Sequence, residues 1–159
     1  MPADSPYWIK KLEIDDASLA ATSADAEHER RVAVFDLLEE NSFKVVDAAE
    51  GPYEVKLSTA DNRLIFDVSN HEGEPVKIIG LSMNPFRRII RDYFMICESY
   101  YDAIRNATPQ QIETVDMGRR GLHNEGSELL IGRLEGKVEM DFDTARRLFT
   151  LLCALHRPR

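Results

Sequence analysis

The spacing of apolar residues changes near residue 83, and this change limits the fold more than any other feature of the sequence. Two short runs, 53–57 and 64–68, have apolar residues at every second position, and a third short apolar run follows at 76–81. Turn residues separate the three runs. Such runs are typical of an antiparallel meander with one apolar face. From residue 84 onward, apolar residues recur at helical spacing. Strands grouped before helices predict an α+β fold, with a small antiparallel β-meander of three to four strands covered by about four helices.

Caps, prolines and apolar spacing mark the remaining elements. With 159 residues, the chain is long enough to bury one core without disulfides or metals. We therefore predict a single domain over 1–159, with a loose N-terminus at 1–8. The predicted elements outside the meander are a strand at 9–14 and helices over about 25–41, 85–106, 109–135 and from Asp141 or Asp143 to about His156.

Two helical segments carry unusual patterns. Gly118, Gly121 and Gly126 interrupt the predicted helix 109–135, and each interior glycine costs roughly 1 kcal/mol relative to alanine. We expect either a break in this helix or a close approach by another backbone. The last helix contains LFTLLCAL, which is apolar on almost every side. Such a surface must be covered, and a homodimer through this C-terminal helix would cover it.

Charge is distributed unevenly along the chain. Lys and Arg number 20 against 28 Asp and Glu, a net charge of −8, which disfavours non-specific nucleic-acid binding. Residues 1–80 carry a net charge of −9 and residues 81–159 a net charge of +1. An anion-binding surface is therefore expected in the second half. Arginine forks suit carboxylates and phosphates, and four adjacent arginine pairs occur, at 30–31, 87–88, 119–120 and 146–147.

The cysteines and the hydropathy indicate a compartment. Cys97 and Cys153 lie in apolar helical patterns and form no CxxC motif, which predicts reduced, buried thiols. The first residues do not resemble a secretory signal, and no apolar run is long enough to span a bilayer. We predict a cytoplasmic protein with no membrane association.

Several kinds of chemistry find little support. The sequence has no GxSxG nucleophile elbow, and its four histidines are scattered. The segment Gly121–Ser127 has the glycines of a phosphate loop but lacks the lysine and follows a helix rather than a strand. We predict neither a metal site nor a cofactor.

One candidate ligand-binding group consists of Arg87, Arg88 and Arg91. These cations stand in the opening turns of the helix after Pro85, where they oppose the helix dipole. A bound anion would compensate for this opposition. The alternative is ordinary salt bridging, for example between Arg88 and Asp92.

The second candidate lies in the segment 116–127. Arg119, Arg120, His123 and Asn124 are interleaved with three glycines, which predicts an anion site at a glycine break where restarted backbone N–H groups assist. In a catalytic version of this site, His123 is the acid–base group and Glu125 orients its imidazole. The alternatives are a helix-packing face and, for Arg120, a simple pair with Asp116.

Four segments resemble a family of small proteins of unknown function from alphaproteobacteria: DAEHERRVAVFDLLEENSF, FRRIIRDYFMICESYYDAIR, ATPQQIETVDMGRRGLHNEGSELLIGRLEGKVE and DFDTARRLFTLLCALH. The resemblance covers about Ile9 to His156, and MGRRGLHNEGS is its most distinctive motif. It implies a bacterial cytoplasmic protein of one domain. It brings no assigned activity, cofactor or catalytic residue.

Three functions compete at this point. The leading hypothesis is a non-catalytic protein that binds a protein partner or an anionic ligand through an arginine-rich helical surface. The second is a small enzyme acting on a phosphorylated or carboxylated metabolite through His123, and the third is selective RNA binding. A deep pocket where His123 and two arginines converge would favour the enzyme, whereas a flat or salt-bridged surface would favour the binding protein.

Overall fold

The computed structural model describes residues 5–15 and 24–156 and has the predicted α+β architecture. Its elements in chain order are β1 (Ile9–Ile14), α1 (Ala24–Glu39), β2 (Phe43–Val45), β3 (Tyr53–Ala60), β4 (Arg63–Asn70), β5 (Pro75–Ser82), α2 (Arg87–Asn106), α3 (Pro109–Arg133), β6 (Val138–Met140) and α4 (Phe142–Leu155). A single turn of 3-10 helix at Asn84–Phe86 leads into α2. The apolar face of the sheet and the inner faces of the helices share one hydrophobic core.

The main sheet has the strand order β1-β3-β4-β5. Strands β3, β4 and β5 form the predicted antiparallel meander. Strand β1 lies beside β3 and runs parallel to it, with Ile14 opposite Leu57, so the sheet is mixed. The connection explains this direction, since a strand that reaches its neighbour through a helix, here α1, returns parallel. Strands β2 and β6 pair in a separate two-stranded sheet that the sequence does not predict.

Asn41 joins the end of α1 to the start of β1. Its side chain is 2% exposed. The amide oxygen accepts a hydrogen bond from the Ile9 N–H at 2.7 Å, and the amide nitrogen donates to the carbonyls of Ile9 and Leu37 at 3.0 and 2.8 Å. Asparagine competes in this way with helical backbone bonds. The helix accordingly ends at Glu39 rather than at residue 41.

Two residues of the N-terminal segment are hydrogen-bonded to neighbouring strands. Residues 1–4 of the predicted loose N-terminus lie outside the described residues. Within the remainder, the carbonyl of Tyr7 accepts a hydrogen bond from the Phe43 N–H, and that of Trp8 accepts one from the Tyr53 N–H, both at 2.9 Å. These bonds tie the segment to β2 and β3.

The C-terminal helix α4 is buried within the chain itself. It packs against α1 and α3, and Leu148, Phe149, Leu152 and Leu155 are at most 6% exposed. The apolar surface of α4 therefore gives no reason to expect the predicted homodimer, because neighbouring helices already cover it. Cys153 is also buried here and is not bridged to Cys97, as predicted.

Helix α3 is continuous from Pro109 to Arg133, so the predicted glycine break is wrong. Of the two expectations for its glycines, close approach is the correct one, but side chains approach rather than another backbone. A Cβ at Gly126 would collide with the Phe149 ring, and one at Gly118 would lie 2.7 Å from the Ile96 side chain. An unbroken helix uses its interior N–H groups in its own hydrogen bonds. These groups are consequently unavailable to an anion near His123.

Candidate functional site

A surface cleft of about 470 Å³ opens between α1, α3 and α4, with Tyr93 of α2 on its inner side. Residues spaced by three or four positions share one face of a helix, and this spacing brings Arg119, Arg120 and His123 of α3 together at the cleft. The three residues were predicted as one group. They converge because α3 is a regular helix, not because the helix breaks.

Helix α4 presents a matching set of side chains that the sequence interpretation missed. Arg146, Arg147 and Thr150 line the same cleft. They repeat the Arg-Arg-x-x-polar spacing of Arg119, Arg120 and His123. That repeated spacing was the available signal, because two helices with the same pattern bring two arginine pairs into one groove when those faces pack together.

His123 and Thr150, the last residues of the two Arg-Arg-x-x-polar patterns, link α3 to α4. The His123 Nε2 and Thr150 Oγ1 atoms are 2.8 Å apart, and the Thr150 hydroxyl donates to the Arg146 carbonyl at 3.2 Å. The tautomer that satisfies both contacts has its proton on His123 Nε2, which then donates to Thr150. The rings of Tyr93 and Phe149 pack edge-on against the imidazole, with centroids 5.4 and 5.1 Å away.

The second imidazole nitrogen is buried and unsatisfied. His123 Nδ1 has no hydrogen-bond partner in the described part of the chain. Burial, followed by the positive charges of Arg146 and Arg119, lowers the pKa of His123 to about 4. The imidazole is therefore neutral near pH 7 and carries an unused acceptor.

This pKa predicts a loss of stability in mild acid. The pKa of His123 is about 4 in the folded protein and about 6.5 in an unfolded chain. The unfolded state therefore binds the proton first, and stability falls as the pH drops from 6.5 towards 4. Between pH 7 and pH 5 the loss through this residue is about 2 kcal/mol.

The measurement is urea unfolding of the wild type and of His123→Gln at both pH values. Glutamine keeps a donor for Thr150 but does not titrate. Burial also lowers the pKa of His156, so only the difference between the two proteins isolates His123. Equal losses in both proteins would show that His123 titrates normally.

The α3 arginines are partly occupied by intramolecular contacts. Arg119 bonds Asp116 at 2.8 Å and stacks over the Tyr100 ring at 4.2 Å. Arg120 lies 3.2 Å from the same carboxylate, which is the pairing considered as an alternative from the sequence. The hydrogen bond from Arg119, opposed in part by desolvation, lowers the pKa of Asp116. The single carboxylate of Asp116 thus pairs with two arginines, so it neutralises only part of their positive charge.

The α4 arginines are more available. Arg146 lies 4.0 Å from Asp143, a long contact for an ion pair. Arg147 is half-buried and forms no ion pair within the described residues. A charged side chain held in a cleft without a partner is free to bind an incoming anion.

Helix α1 supplies the opposite charge. Glu29 and Asp36 line the cleft across from the arginines. The Tyr101 hydroxyl donates to Glu29 at 2.6 Å, whereas Asp36 has no ion-pair partner among the described residues. The cleft therefore carries both charges: carboxylates on α1, with Asp143 of α4 as a further one, and arginines on α3 and α4.

Other predicted site residues lie outside this cleft. Asn124 is exposed, and Glu125 lies 3.9 Å from Arg88. The expectation that Glu125 orients the imidazole is wrong, because Thr150 is the residue bonded to it. The α2 arginine group, which consists of Arg87, Arg88 and Arg91, is exposed and does not line the cleft. Its expected pair with Asp92 is made by Arg91 at 3.5 Å rather than by Arg88.

Two features are absent from the described residues, a metal-binding cluster and a membrane-spanning helix. No group of three or more His, Cys, Asp and Glu residues is placed to hold a metal ion within that part of the chain. Likewise, no helix there is both long and apolar enough to cross a membrane.

Comparisons with known proteins give a family but no activity. The model of UPF0262, described as an uncharacterised protein family, matches residues 7–158. A UPF0262 protein of Caulobacter vibrioides is 63% identical over 154 residues, covering 97% of this chain and 96% of the relative. Those of Hyphomonas neptunium and Brucella canis are 60% and 58% identical, covering 91% and 98% of this chain and 90% and 98% of theirs. No solved structure matches the chain.

Proposed function

The chain belongs to the uncharacterised protein family UPF0262, and we propose that it is a non-catalytic cytoplasmic protein that binds a small anionic ligand in the α1–α3–α4 cleft. The observation that carries this proposal is the convergence of two arginine pairs on one concave surface. Arg147 has no ion-pair partner there within the described residues. The family resemblance inferred from the sequence agrees with this membership and adds no activity.

The size of the cleft favours a small molecule. Its volume of about 470 Å³ lies within the roughly 300–1,000 Å³ typical of small-molecule sites. Each charge-assisted bond from a partly buried arginine contributes about 1.5–3 kcal/mol. Two such bonds suffice for micromolar to millimolar affinity with modest help from other contacts.

The same geometry argues against larger partners. A protein or RNA partner would meet a concave cleft with carboxylates along α1 as well as arginines. A phosphate backbone would be repelled by those carboxylates and by the net charge of −8. The aromatic side chains expected to stack on RNA bases are engaged, since Tyr93 is buried and Tyr100 lies under Arg119.

An enzyme remains the second candidate, and one observation favours it. His123, Arg119 and Arg120 converge on the same cleft, as a catalytic site for an anionic metabolite requires. Two features weigh against it. A general acid or base works best with a pKa near the working pH, whereas that of His123 is about 4. In addition, no carboxylate among the described residues hydrogen-bonds to the imidazole.

Thermal unfolding with a panel of anions tests the proposal. The panel contains inorganic phosphate, ethyl phosphate, butanoate and O-phosphoethanolamine, with potassium chloride at equal ionic strength as the control. At about a hundred times its Kd, a ligand adds about 2.7 kcal/mol of stability. For a chain of this size we expect a rise in Tm of about 5 °C or more.

A variant shows whether the anion binds in the cleft or at the α2 arginine group. The variant Arg91→Gln alters an exposed cation outside the cleft and should show the same rise in Tm as the wild type. A panel in which no member raises the wild-type Tm beyond the chloride control would contradict the proposal.

A further inference from the structure

We propose, resting on the proposed function, that the ligand of the cleft is a zwitterion. Its anionic head binds the α4 arginines, and its ammonium group binds the carboxylates of α1. The observation behind this step is a pair of opposite charges, Arg147 and Asp36, that line one cleft. Neither makes an ion pair within the described residues.

The packing of α1 against α4 brings these two charges to the same end of the cleft. The Ser42 N–H, just after α1, donates to the Thr144 Oγ1 in the first turn of α4 at 3.0 Å. Asp36 lies about one turn before the end of α1 at Glu39, and Arg147 lies about one turn after Thr144. Both are therefore near this junction. The two side chains nevertheless do not pair with each other. A ligand that carries the complementary charges fits between them.

Glu29 supplies a second carboxylate two turns further back on α1. It lines the same cleft as Asp36. The hydroxyl of Tyr101 already holds it at 2.6 Å. Glu29 is thus held by a hydrogen bond from a neutral group, and neither it nor Asp36 forms an ion pair within the described residues.

Charge matching explains why a zwitterion is preferred over a plain anion. An anion alone would satisfy the arginines but would share the cleft with the carboxylates of Glu29, Asp36 and Asp143 and be repelled by them. Adding an ammonium group turns that repulsion into attraction. A site of this kind discriminates against an analogue that lacks the group its polar residues are placed to bind.

Two matched probe pairs test the inference by isothermal titration calorimetry. O-phosphoethanolamine and ethyl phosphate differ by one ammonium group, as do 4-aminobutanoate and butanoate. We expect the ammonium-bearing member of at least one pair to bind at least tenfold more tightly to the wild type. The two pairs distinguish a phosphate head from a carboxylate head.

The variant Asp36→Asn should remove this preference while leaving the affinity for the plain anion unchanged or higher. Asp102→Asn, an exposed residue of α2 outside the cleft, is the matched control and should retain the preference. Unliganded thermal unfolding confirms that both variants fold. Equal affinity of the wild type for both members of each pair overturns the zwitterion and leaves anion binding intact. Absence of binding by all four probes overturns the proposed function as well.

Discussion

Replacing Gly126 with alanine is expected to lower the free energy of unfolding by about 3 kcal/mol, the upper range for overpacking a buried site. The glycine is buried in α3, and an added Cβ would collide with three carbons of the Phe149 ring. That ring is itself 0% exposed and has little space to retreat. Denaturant unfolding measures the effect.

Gly121→Ala is the matched control for this prediction. It lies in the interior of the same helix, and nothing stands within 4 Å of its added Cβ. Alanine is a better helix former than glycine by about 1 kcal/mol, so this variant should be more stable than the wild type. A double variant that pairs Gly126→Ala with Phe149→Leu should recover part of the loss. Equal stability of the two glycine variants would contradict the described α3–α4 contact.

Arg146→Gln combined with Arg147→Gln is expected to weaken the binding of ethyl phosphate by a hundredfold or more. Each arginine is placed to make a charge-assisted bond worth about 1.5–3 kcal/mol, and every 1.4 kcal/mol is a factor of ten in affinity. Calorimetric titration gives the change directly.

The same double variant should fold normally. The only ion pair it removes among the described residues is the 4.0 Å contact of Arg146 with Asp143, and glutamine has a helix propensity close to that of arginine. Its unliganded Tm should therefore stay close to that of the wild type. The control pair Arg88→Gln and Arg91→Gln lies outside the cleft and should bind ethyl phosphate as the wild type does. Unchanged binding by the Arg146/Arg147 variant would rule out the α4 arginines as the anion site.

The helices and the meander were predictable because their signals are local. The Thr108–Gln111 capping box and the Asp141 cap both form as their sequences indicate. The parallel pairing of β1 depends on a partner more than forty residues away, and no local pattern specifies it. Three-residue strands such as β2 are too short to show an alternation.

The glycines of α3 show why local reasoning also misled. Propensity alone suggests a break at Gly118, Gly121 and Gly126, but tertiary packing overrides propensity. Gly126 is required by the Phe149 ring from another helix, which sequence spacing within α3 cannot reveal.

The α3 residues of the candidate site were predictable from the sequence, but their partners on α4 and α1 were not. Arg119, Arg120 and His123 share one face of α3, and their spacing shows this directly. The partners they meet were not evident, because the approach of α4 and α1 to that face is set by the whole core. Glu125 was assigned to His123 from its nearness in sequence, but two positions along a helix point to different sides. Thr150, from α4, takes that place.

The most direct test of the central claim is an NMR titration of the isotope-labelled wild type with ethyl phosphate, following arginine Nε–H and histidine ring resonances. We predict that the Arg147 and His123 signals shift together with saturation, and that the pKa of His123 rises as the bound anion offsets the nearby arginines. Signals of the α2 arginine group should stay unchanged. Saturable shifts confined to that group, or no saturable shift at Arg147 and His123, would contradict the assignment of the cleft as the anion site.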